Sequence, residues 1–455
     1  MLANILTPLR PEVRRELTLI GYSTGNLGKN IMHSGIDVTL LFLITDILSV
    51  PPIVVSYLMA VQIAGDVVFN FGSGYLADLG LRHNFGYSKI VAIGAVPCCL
   101  AFAGLFSLPA LGLHGRYVIC ALAVALLAFR ASYAVIDVPH NSLLTQISQD
   151  SRARGRISGY RFFFSTLASI SVAAILAPAV ITAAHAGSKV QLSLLGIAGG
   201  VIACTALLVT AWACRNARAQ SRGAGQRIAL LPKFDALFGC MTAIAIVTGF
   251  AAPTFTRMII YLATYVYREP SLASDLLLAN TFGQVLGIVL WTYLVHHHEK
   301  TVLLAASYAV AAIGLGVLAS APAVPTILAS ITCMIGVGSA GVFMLPWGIL
   351  ADTVDFSEFR HHERREAATF AAFLVVLKAS SVASIGVIGL ALSNLGYVPG
   401  LAQTHRVLVG IRLMAFGFPI IGSAIAILVL SRMSIGHRTH AKIVRALQSK
   451  CAGKQ

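Results

Sequence analysis

The chain has 455 residues, of which 57% are hydrophobic and only 11% are charged, with a mean hydropathy of +0.82. Soluble domains carry about 25% charged residues, so this composition excludes an ordinary soluble domain and indicates an integral membrane protein. The formal net charge of +16 does not indicate nucleic-acid binding, because the basic residues are concentrated in short segments between apolar ones.

Twelve apolar segments are each long enough to cross a bilayer as a helix. The basic linker 215–235 separates six of them from the other six. We therefore predict an all-α membrane protein with 12 transmembrane helices in two halves, at 1–214 and 236–432, and a basic tail at 433–455. This organisation is typical of the major facilitator fold, which binds its solute between the halves. The segments cover about residues 18–46, 51–79, 87–110, 115–145, 157–184, 190–214, 236–267, 271–296, 301–320, 323–351, 366–395 and 404–431.

The basic residues predict the orientation of the chain. Of the 33 Lys and Arg residues, 23 lie on the side of the N-terminus and the linker, four lie on the opposite side, and six lie within the apolar segments. Short cytoplasmic loops carry such an excess of positive charge. We therefore expect a multi-pass protein of the inner or plasma membrane with both termini in the cytoplasm.

The first apolar segment contains a polar stripe. Asn30, His33 and Asp37 fall at spacings that place them on one helix face. The stripe either lines a solute pocket or accompanies the small residues that let this helix pack closely on its neighbours. We interpret it as pocket-lining, because close packing explains glycines but not ionisable side chains.

The second apolar segment carries a carboxylate deep in the bilayer. Asp66 lies about fourteen residues into the segment, where a charge costs a few kcal/mol and normally faces a bundle interior or a cavity. Asn70 lies one turn later on the same face. We expect this pair to serve cation coupling. The segment ends at Asp78 and Arg82, which we assign to a cytoplasmic gate.

The fourth segment adds four candidates, and the fifth segment adds one. Tyr133 and Asn141 flank Asp137 in the fourth segment, and Arg130 lies seven residues before that acid. Arg130 and Asp137 could pair with each other, or with an acid of the first segment, or they could contact the solute directly. Arg161 begins the fifth segment, where it either forms part of an inner gate or reaches out to the interface.

The second half carries two deep bases and one dense charge cluster. Arg257 and Lys378 lie too far from their helix ends to reach water easily, and we expect Lys378 to neutralise a carboxylate of the first half. The loop after the tenth segment is either a solvated charge run or a cytoplasmic latch. Its candidate gate residues are Asp352, Asp355, Glu358 and Arg364. The triplet 296–298 resembles a metal ligand set but is more typical of an interfacial anchor, so we predict no metal site.

Several motifs in order resemble the glycoside–pentoside–hexuronide:cation symporters, the melibiose-carrier branch of the major facilitator superfamily. They are G-Y-S-T-G-N-L-G-K-N at 21–30, the Asp66 helix, I-D-V-P-H-N-S-L-L at 136–144, Y-R-F-F-F-S at 160–165, L-P-W-G-I-L-A-D-T-V-D-F-S-E-F at 345–359 and V-L-K-A-S-S at 376–381. The resemblance therefore runs almost from end to end.

The resemblance implies roles for the matching positions. Asp66 is similar to the first of two acids that bind the coupling cation, and Asp137 to an acid that contacts sugar hydroxyls. Arg161 is similar to an arginine near the substrate, and Lys378 to a lysine of the charged network. The loop acids match that family's cytoplasmic charge cluster.

The chain also departs from the family pattern. Amides stand where the second coupling acid, the first-helix acid and an aromatic are expected, at Asn70, Asn30 and Asn141 respectively. Asp37, Arg130 and Arg257 are additional charges. These departures affect both the cation site and the solute site.

We therefore predict a secondary active transporter that moves a sugar, glycoside or sugar acid by alternating access, coupled to a cation. Alternatives are a carrier of an amphiphile such as a lysolipid, an uncoupled facilitator and a non-transporting sensor on the same fold. An enzyme is not expected, because neither H-E-x-x-H nor G-x-S-x-G occurs. We expect a functional monomer in the lipid bilayer, with no cofactor and no nucleic-acid partner.

The charges within the segments bear on the solute and the ion. The bases outnumber the acids, so a carboxylate on the solute would supply a counterion, which favours a sugar acid. Sodium needs several oxygen ligands, whereas a proton needs a single carboxylate such as Asp66. We therefore expect proton coupling rather than sodium coupling. The residues counted are Lys29, Arg130, Arg161, Arg257 and Lys378 against Asp37, Asp66 and Asp137.

Overall fold

A computed structural model of the chain describes residues 11–82, 85–147, 151–186, 189–216, 235–295, 297–361 and 366–433. Within these ranges, twelve helical spans are long and apolar enough to cross a membrane. The predicted fold class is confirmed, with six spans in each half of the chain.

Fifteen α-helices form these spans in the described residues, because three of the spans are each built from two α-helices joined in sequence. The helices are α1 (Pro11–Phe42), α2 (Pro52–Arg82), α3 (Tyr87–Ser107), α4 (Arg116–Ile147), α5 (Ser151–Ser171), α6 (Ala177–Ala186), α7 (Lys189–Ala213), α8 (Ala236–Phe250), α9 (Ala252–Tyr261), α10 (Leu272–Val295), α11 (Lys300–Ser320), α12 (Pro325–His361), α13 (Glu366–Leu395), α14 (His405–Arg412) and α15 (Phe418–Ser431).

The chain divides into two compact units, Met1–Ala224 and Gly225–Gln455. In the first unit α1 packs on α5 and α7, α3 packs on α4 and α7, and α2 packs on α4. In the second unit the corresponding helices make the corresponding pairs: α8 with α13 and α15, α11 with α12 and α15, and α10 with α12. The helix packing of the first unit is thus repeated in the second, although the residue sequence shows no obvious repeat.

The first span of each unit also ends in the same way. Both close with a five-residue π-helical turn, at Leu43–Ile47 and Leu262–Val266. Two residues after each turn a non-glycine residue adopts positive φ, 52° at Ser49 and 57° at Arg268, a conformation that is uncommon outside glycine. The matching backbone bonds run from the N–H of Leu48 to Leu43 O (3.0 Å), Tyr267 to Leu262 O (2.8 Å), Val50 to Ile44 O (3.0 Å) and Glu269 to Ala263 O (2.9 Å).

Glycines set the closest helix crossing in the second unit. Gly283 of α10 and Gly336 of α12 lie where each backbone meets the other helix. A Cβ on Gly283 would overlap the carbonyl oxygen of Cys333, and one on Gly336 would overlap that of Asn280. Small residues permit such approaches between membrane helices, where dispersion rather than the hydrophobic effect holds helices together.

We expect Gly283→Ala to lower the free energy of unfolding by about 1–3 kcal/mol, because the added methyl group forces α10 and α12 apart. The control is Gly316→Ala, since Gly316 is an exposed helical glycine and a Cβ at its position would have no neighbouring atom within 4 Å. Thermal unfolding of both purified variants in the same detergent measures the difference. Equal stabilities would contradict the close crossing.

Candidate functional site

Polar side chains of α1 meet α4 at three levels of the first unit. Tyr22 lies against His140, Lys29 against Asp137, and His33 against Tyr133. Residue numbers rise along α1 as they fall along α4, so the two helices run antiparallel. Of the stripe predicted for the first span, only His33 takes part in these contacts, and Tyr22 and Lys29 supply the other two.

A buried ion pair occupies the middle of this contact. Lys29 Nζ lies 2.6 Å from Asp137 Oδ1, and the two side chains are only 9% and 12% exposed. Burying either charge alone costs several kcal/mol, and the pairing offsets that cost only when both partners are present. Lys29 was not among the site residues predicted from the sequence. Its position one turn before His33 places both on the same face of α1, and this spacing could have identified it.

His140 is a second residue of the site that sequence reasoning missed. Its Nδ1 lies 3.3 Å from Lys29 Nζ, and its Nε2 lies 3.3 Å from the carbonyl oxygen of Tyr22. An ammonium group only donates hydrogen bonds, so Nδ1 accepts and the ring proton on Nε2 is donated to Tyr22. The Tyr22 ring stacks on the imidazole at 4.7 Å, and its hydroxyl donates to the His140 carbonyl (3.1 Å). His140 is thus a second, neutral partner of Lys29 beside the carboxylate.

Arg161 of α5 joins the same network through neutral groups. Its Nε donates to Asn26 Oδ1 (3.3 Å), one terminal nitrogen donates to Asn141 Oδ1 (3.0 Å), and the guanidinium lies 6.0 Å from the centre of the Tyr22 ring. Asn141 in turn donates to Asp137 Oδ1 (3.0 Å). Arg161 therefore reaches into the site rather than out to the interface, and one amide separates it from the acid.

The three residues of the predicted first-span stripe have different surroundings. Asn30 donates to the carbonyl oxygen of Ser165 (2.6 Å) and to Ser169 Oγ (3.0 Å), which ties α1 to α5. His33 is exposed and stacks with Tyr133 of α4 at 6.1 Å. Asp37 is partly buried, two turns beyond Lys29. Asn30 thus makes a helix-packing contact, whereas the His33 side chain is exposed.

A second buried ion pair joins α2 to α4. Arg130 lies 3.5 Å from Asp66 Oδ2, and both side chains are nearly buried, at 13% and 12% exposure. Asn70 donates to the backbone carbonyl of Asp66 (2.6 Å). The seven-residue spacing of Arg130 and Asp137 suggested that they could pair with each other. In the structure each of them pairs instead with a residue of another helix. The spacing placed both on one helix but could not show which neighbouring helix each one faces.

The predicted bases of the second unit lie on neighbouring helices. Arg257 of α9 is 1% exposed and donates to the carbonyl (3.0 Å) and hydroxyl (2.6 Å) oxygens of Ser381 in α13. Lys378, one turn earlier in α13, is partly buried. A role for Arg257 and Lys378 in solute binding stays a prediction.

One predicted gate residue forms an ion pair inside the second unit. Both carboxylate oxygens of Asp352 lie 2.8 Å from Lys300 Nζ at the start of α11, which therefore ties α11 to α12. Glu358 is partly buried near the end of α12. The side chains of Asp78, Arg82 and Asp355, and the whole of Arg364, fall outside the described residues, so the gate assignment stays a prediction. In the described ranges, no group of three or more His, Cys, Asp or Glu residues could hold a metal ion.

Comparisons with known proteins identify the class. The family described as MFS/sugar transport protein matches residues 21–437. The uncharacterised symporter YjmB of Bacillus subtilis is 24% identical, covering 99% of both chains. A candidate sulfoquinovose importer of Escherichia coli is 23% identical over 90% of this chain and 89% of its own. A glucuronide carrier homologue of the same species is 21% identical over 87% of each chain.

Solved structures show the same fold. The nucleoside transporter NupG, as a D323A mutant, superposes with a TM-score of 0.64 at 12% identity, covering 90% of this chain and 99% of its own. A D-xylose–proton symporter gives a TM-score of 0.63 at 12% identity, covering 90% and 96%.

The twelve spans, the repeated helix packing and the buried polar site define a major facilitator transporter. More particularly, the chain belongs to the MFS/sugar transport protein family, which confirms the resemblance to sugar symporters. It is an integral multi-pass membrane protein, and its relatives are transporters rather than enzymes.

We expect single substitutions of the Lys29–Asp137 pair, Lys29→Met or Asp137→Leu, to destabilise the protein by about 3–5 kcal/mol, because each leaves one buried charge unpaired. The double variant should recover most of that stability, since no buried charge remains. It should nevertheless fail to exchange labelled solute in counterflow. A double variant that stays as unstable as the single ones, or that still transports, would show that the pair is not the functional core.

Proposed function

We propose that this protein is a symporter that carries a sugar acid, such as a uronic acid or a uronide, together with a proton by alternating access. The observation that carries the proposal is the environment of Arg161. Among the described residues, its hydrogen bonds go to the neutral amide oxygens of Asn26 and Asn141, and its only ring contact is with Tyr22. Arg161 is partly buried at the start of its span, and an anionic solute would supply the counterion that its described partners do not.

The neighbouring acids do not provide that counterion. Asp137 is paired with Lys29 at 2.6 Å, so that pair is electrically neutral. Asp37 lies eleven residues along α1 from Asn26, which is about 16 Å at the rise of an α-helix. Glu16 of α1 accepts a hydrogen bond from Tyr160 (3.3 Å), and no acid among the described residues forms an ion pair with Arg161. A solute carboxylate can therefore replace the amide oxygens with charge-assisted, bidentate bonds.

The rest of the site suits a polyhydroxylated ring. Asn26, Asn141 and the exposed His33 offer donors and acceptors, and Tyr22 and Tyr133 offer aromatic faces. Two of the relatives are named for negatively charged sugars, sulfoquinovose and glucuronides. Sugar transport is the description of the family itself. These similarities support a sugar acid over a neutral sugar or an amphiphile.

The proposed coupling ion is a proton carried by Asp66. This residue is 9% exposed in α2, on a different helix pair from the Arg161 site. Protonation would release its partner Arg130, so ion binding would change the charge balance of the unit. The proposal further places both termini in the cytoplasm, on the side with the excess of basic residues, and treats the monomer as the functional form.

We expect purified protein to bind glucuronic or galacturonic acid at least tenfold more tightly than the corresponding neutral sugar, because hydrogen bonds to charged groups contribute about 1.5–3 kcal/mol. Arg161→Met should reduce the ratio to about one, and Arg161→Lys should retain part of it. The control is Arg215→Met, since Arg215 is an exposed arginine that lies 4.6 Å over the Trp212 ring. Equal affinities of the wild type for acid and neutral sugar would contradict the anionic solute.

Proton coupling predicts that an inward pH gradient alone drives accumulation of labelled solute in proteoliposomes. A sodium gradient at equal pH and zero potential should not, and a choline gradient serves as the control for ionic strength. Accumulation driven by sodium alone would show that the proton assignment is wrong.

A further inference from the structure

One face of α2 carries a set of side-chain oxygens from two buried residues and one partly buried residue. Gln62, Asp66 and Asn70 follow one another at four-residue spacing and so share that face. Gln62 is 1% exposed, and neither atom of its side-chain amide has a hydrogen-bond partner among the described residues. An unsatisfied buried amide is costly, and such groups usually mark a role that packing does not explain.

This set has the chemistry of a site for a hard cation. Asn70 uses its amide nitrogen on the Asp66 carbonyl, which leaves its side-chain oxygen to accept. A carboxylate with two amide oxygens is the ligand type that hard cations such as sodium prefer. The face therefore combines negative charge with neutral oxygens.

The chain itself supplies a positive charge at this position. Arg130 of α4 lies 3.5 Å from Asp66 Oδ2, and the side chain is 13% exposed. A hydrogen bond from Ser73 Oγ of α2 to the carbonyl oxygen of Ala134 (2.7 Å) holds α4 against α2. Since α2 and α4 cross the membrane in the same direction, that bond also fixes the level at which Arg130 meets the acid.

We propose that Arg130 is a tethered cation that neutralises Asp66 and thereby excludes sodium from the oxygens of α2. A second cation held at this carboxylate would be repelled by the guanidinium in a medium of low dielectric constant. The guanidinium also opposes a proton, but a proton forms a covalent O–H bond to a single carboxylate oxygen and needs no shell of ligands, so it can neutralise Asp66 where sodium lacks room for its ligands. Arg130 therefore determines the ion specificity of the coupling step, and this inference rests on the proposed function only in naming Asp66 as the proton carrier.

The test is sodium-specific stabilisation of the purified protein without any solute. The midpoint of thermal unfolding is compared in sodium, potassium and choline chloride at one ionic strength. The wild type should show no difference, whereas Arg130→Met should be stabilised by sodium alone, by about 1.5 °C at a tenfold excess over the dissociation constant. Sodium should then also stimulate counterflow in that variant, which a purely structural role of Arg130 would not produce.

Three further variants serve as controls. Arg130→Lys keeps the charge and should not respond to sodium. The double variant Arg130→Met with Asp66→Asn lacks the carboxylate and should not respond either. Arg116→Met removes an arginine that lies 5.4 Å over the Tyr117 ring at the start of α4, outside this site, and should behave like the wild type.

Sodium-specific stabilisation of the wild type would overturn the proposal. A folded Arg130→Met variant whose unfolding midpoint does not change with sodium would also overturn it. If Arg130→Met folds only in sodium, the proposal is supported. If it does not fold in any salt, Arg130→Gln replaces it, and the wild-type response decides if that variant also fails. Because no solute is present in the unfolding measurements, their results stand whether or not the solute is a sugar acid.

Discussion

Charged side chains in the membrane interior must find a partner of opposite charge, and this constraint organises the first unit. An isolated charge at this depth costs several kcal/mol, so Lys29 with Asp137 and Arg130 with Asp66 are each buried as pairs. Both pairs end on α4. That helix is therefore held electrostatically to α1 on one side and to α2 on the other, and its register determines the geometry of the whole site.

The two units share their architecture but not their chemistry. The same helix pairs pack in both, and the first span of each ends in a π-turn with the same backbone bonds. Aligning those turns places Thr248 at the position of Lys29. Thr248 bonds to another hydroxyl, that of Tyr308, at 2.7 Å. The charges of the second unit lie elsewhere, at Arg257 beside Ser381 and at Lys300 with Asp352. The Lys29–Asp137 and Arg130–Asp66 pairs thus belong to the first unit, and the second unit repeats the fold without a charge at the position of Lys29.

The sequence predicted the spans and most of the charged candidates, because hydropathy and charge are properties of single positions. It did not predict the partners. Asp137 and Arg130 face different helices, and that depends on helix rotation and register, which no single helix reveals. Lys29 and His140 were missed for the same reason, since each acquires its role only where α1 meets α4. The internal repeat could not be seen in the sequence, because it lies in helix packing and backbone hydrogen bonds. Segments with unrelated side chains can form the same backbone bonds.

The proposal depends on Arg161, whose partners among the described residues are neutral, receiving an anionic solute that enters with a proton. The charge moved per solute molecule tests this most directly, measured as the current from proteoliposomes on a solid-supported membrane alongside labelled uptake. One proton carried with one monovalent sugar acid moves no net charge, so uptake should proceed without current at every imposed pH gradient. One positive charge entering with each solute molecule would contradict the account.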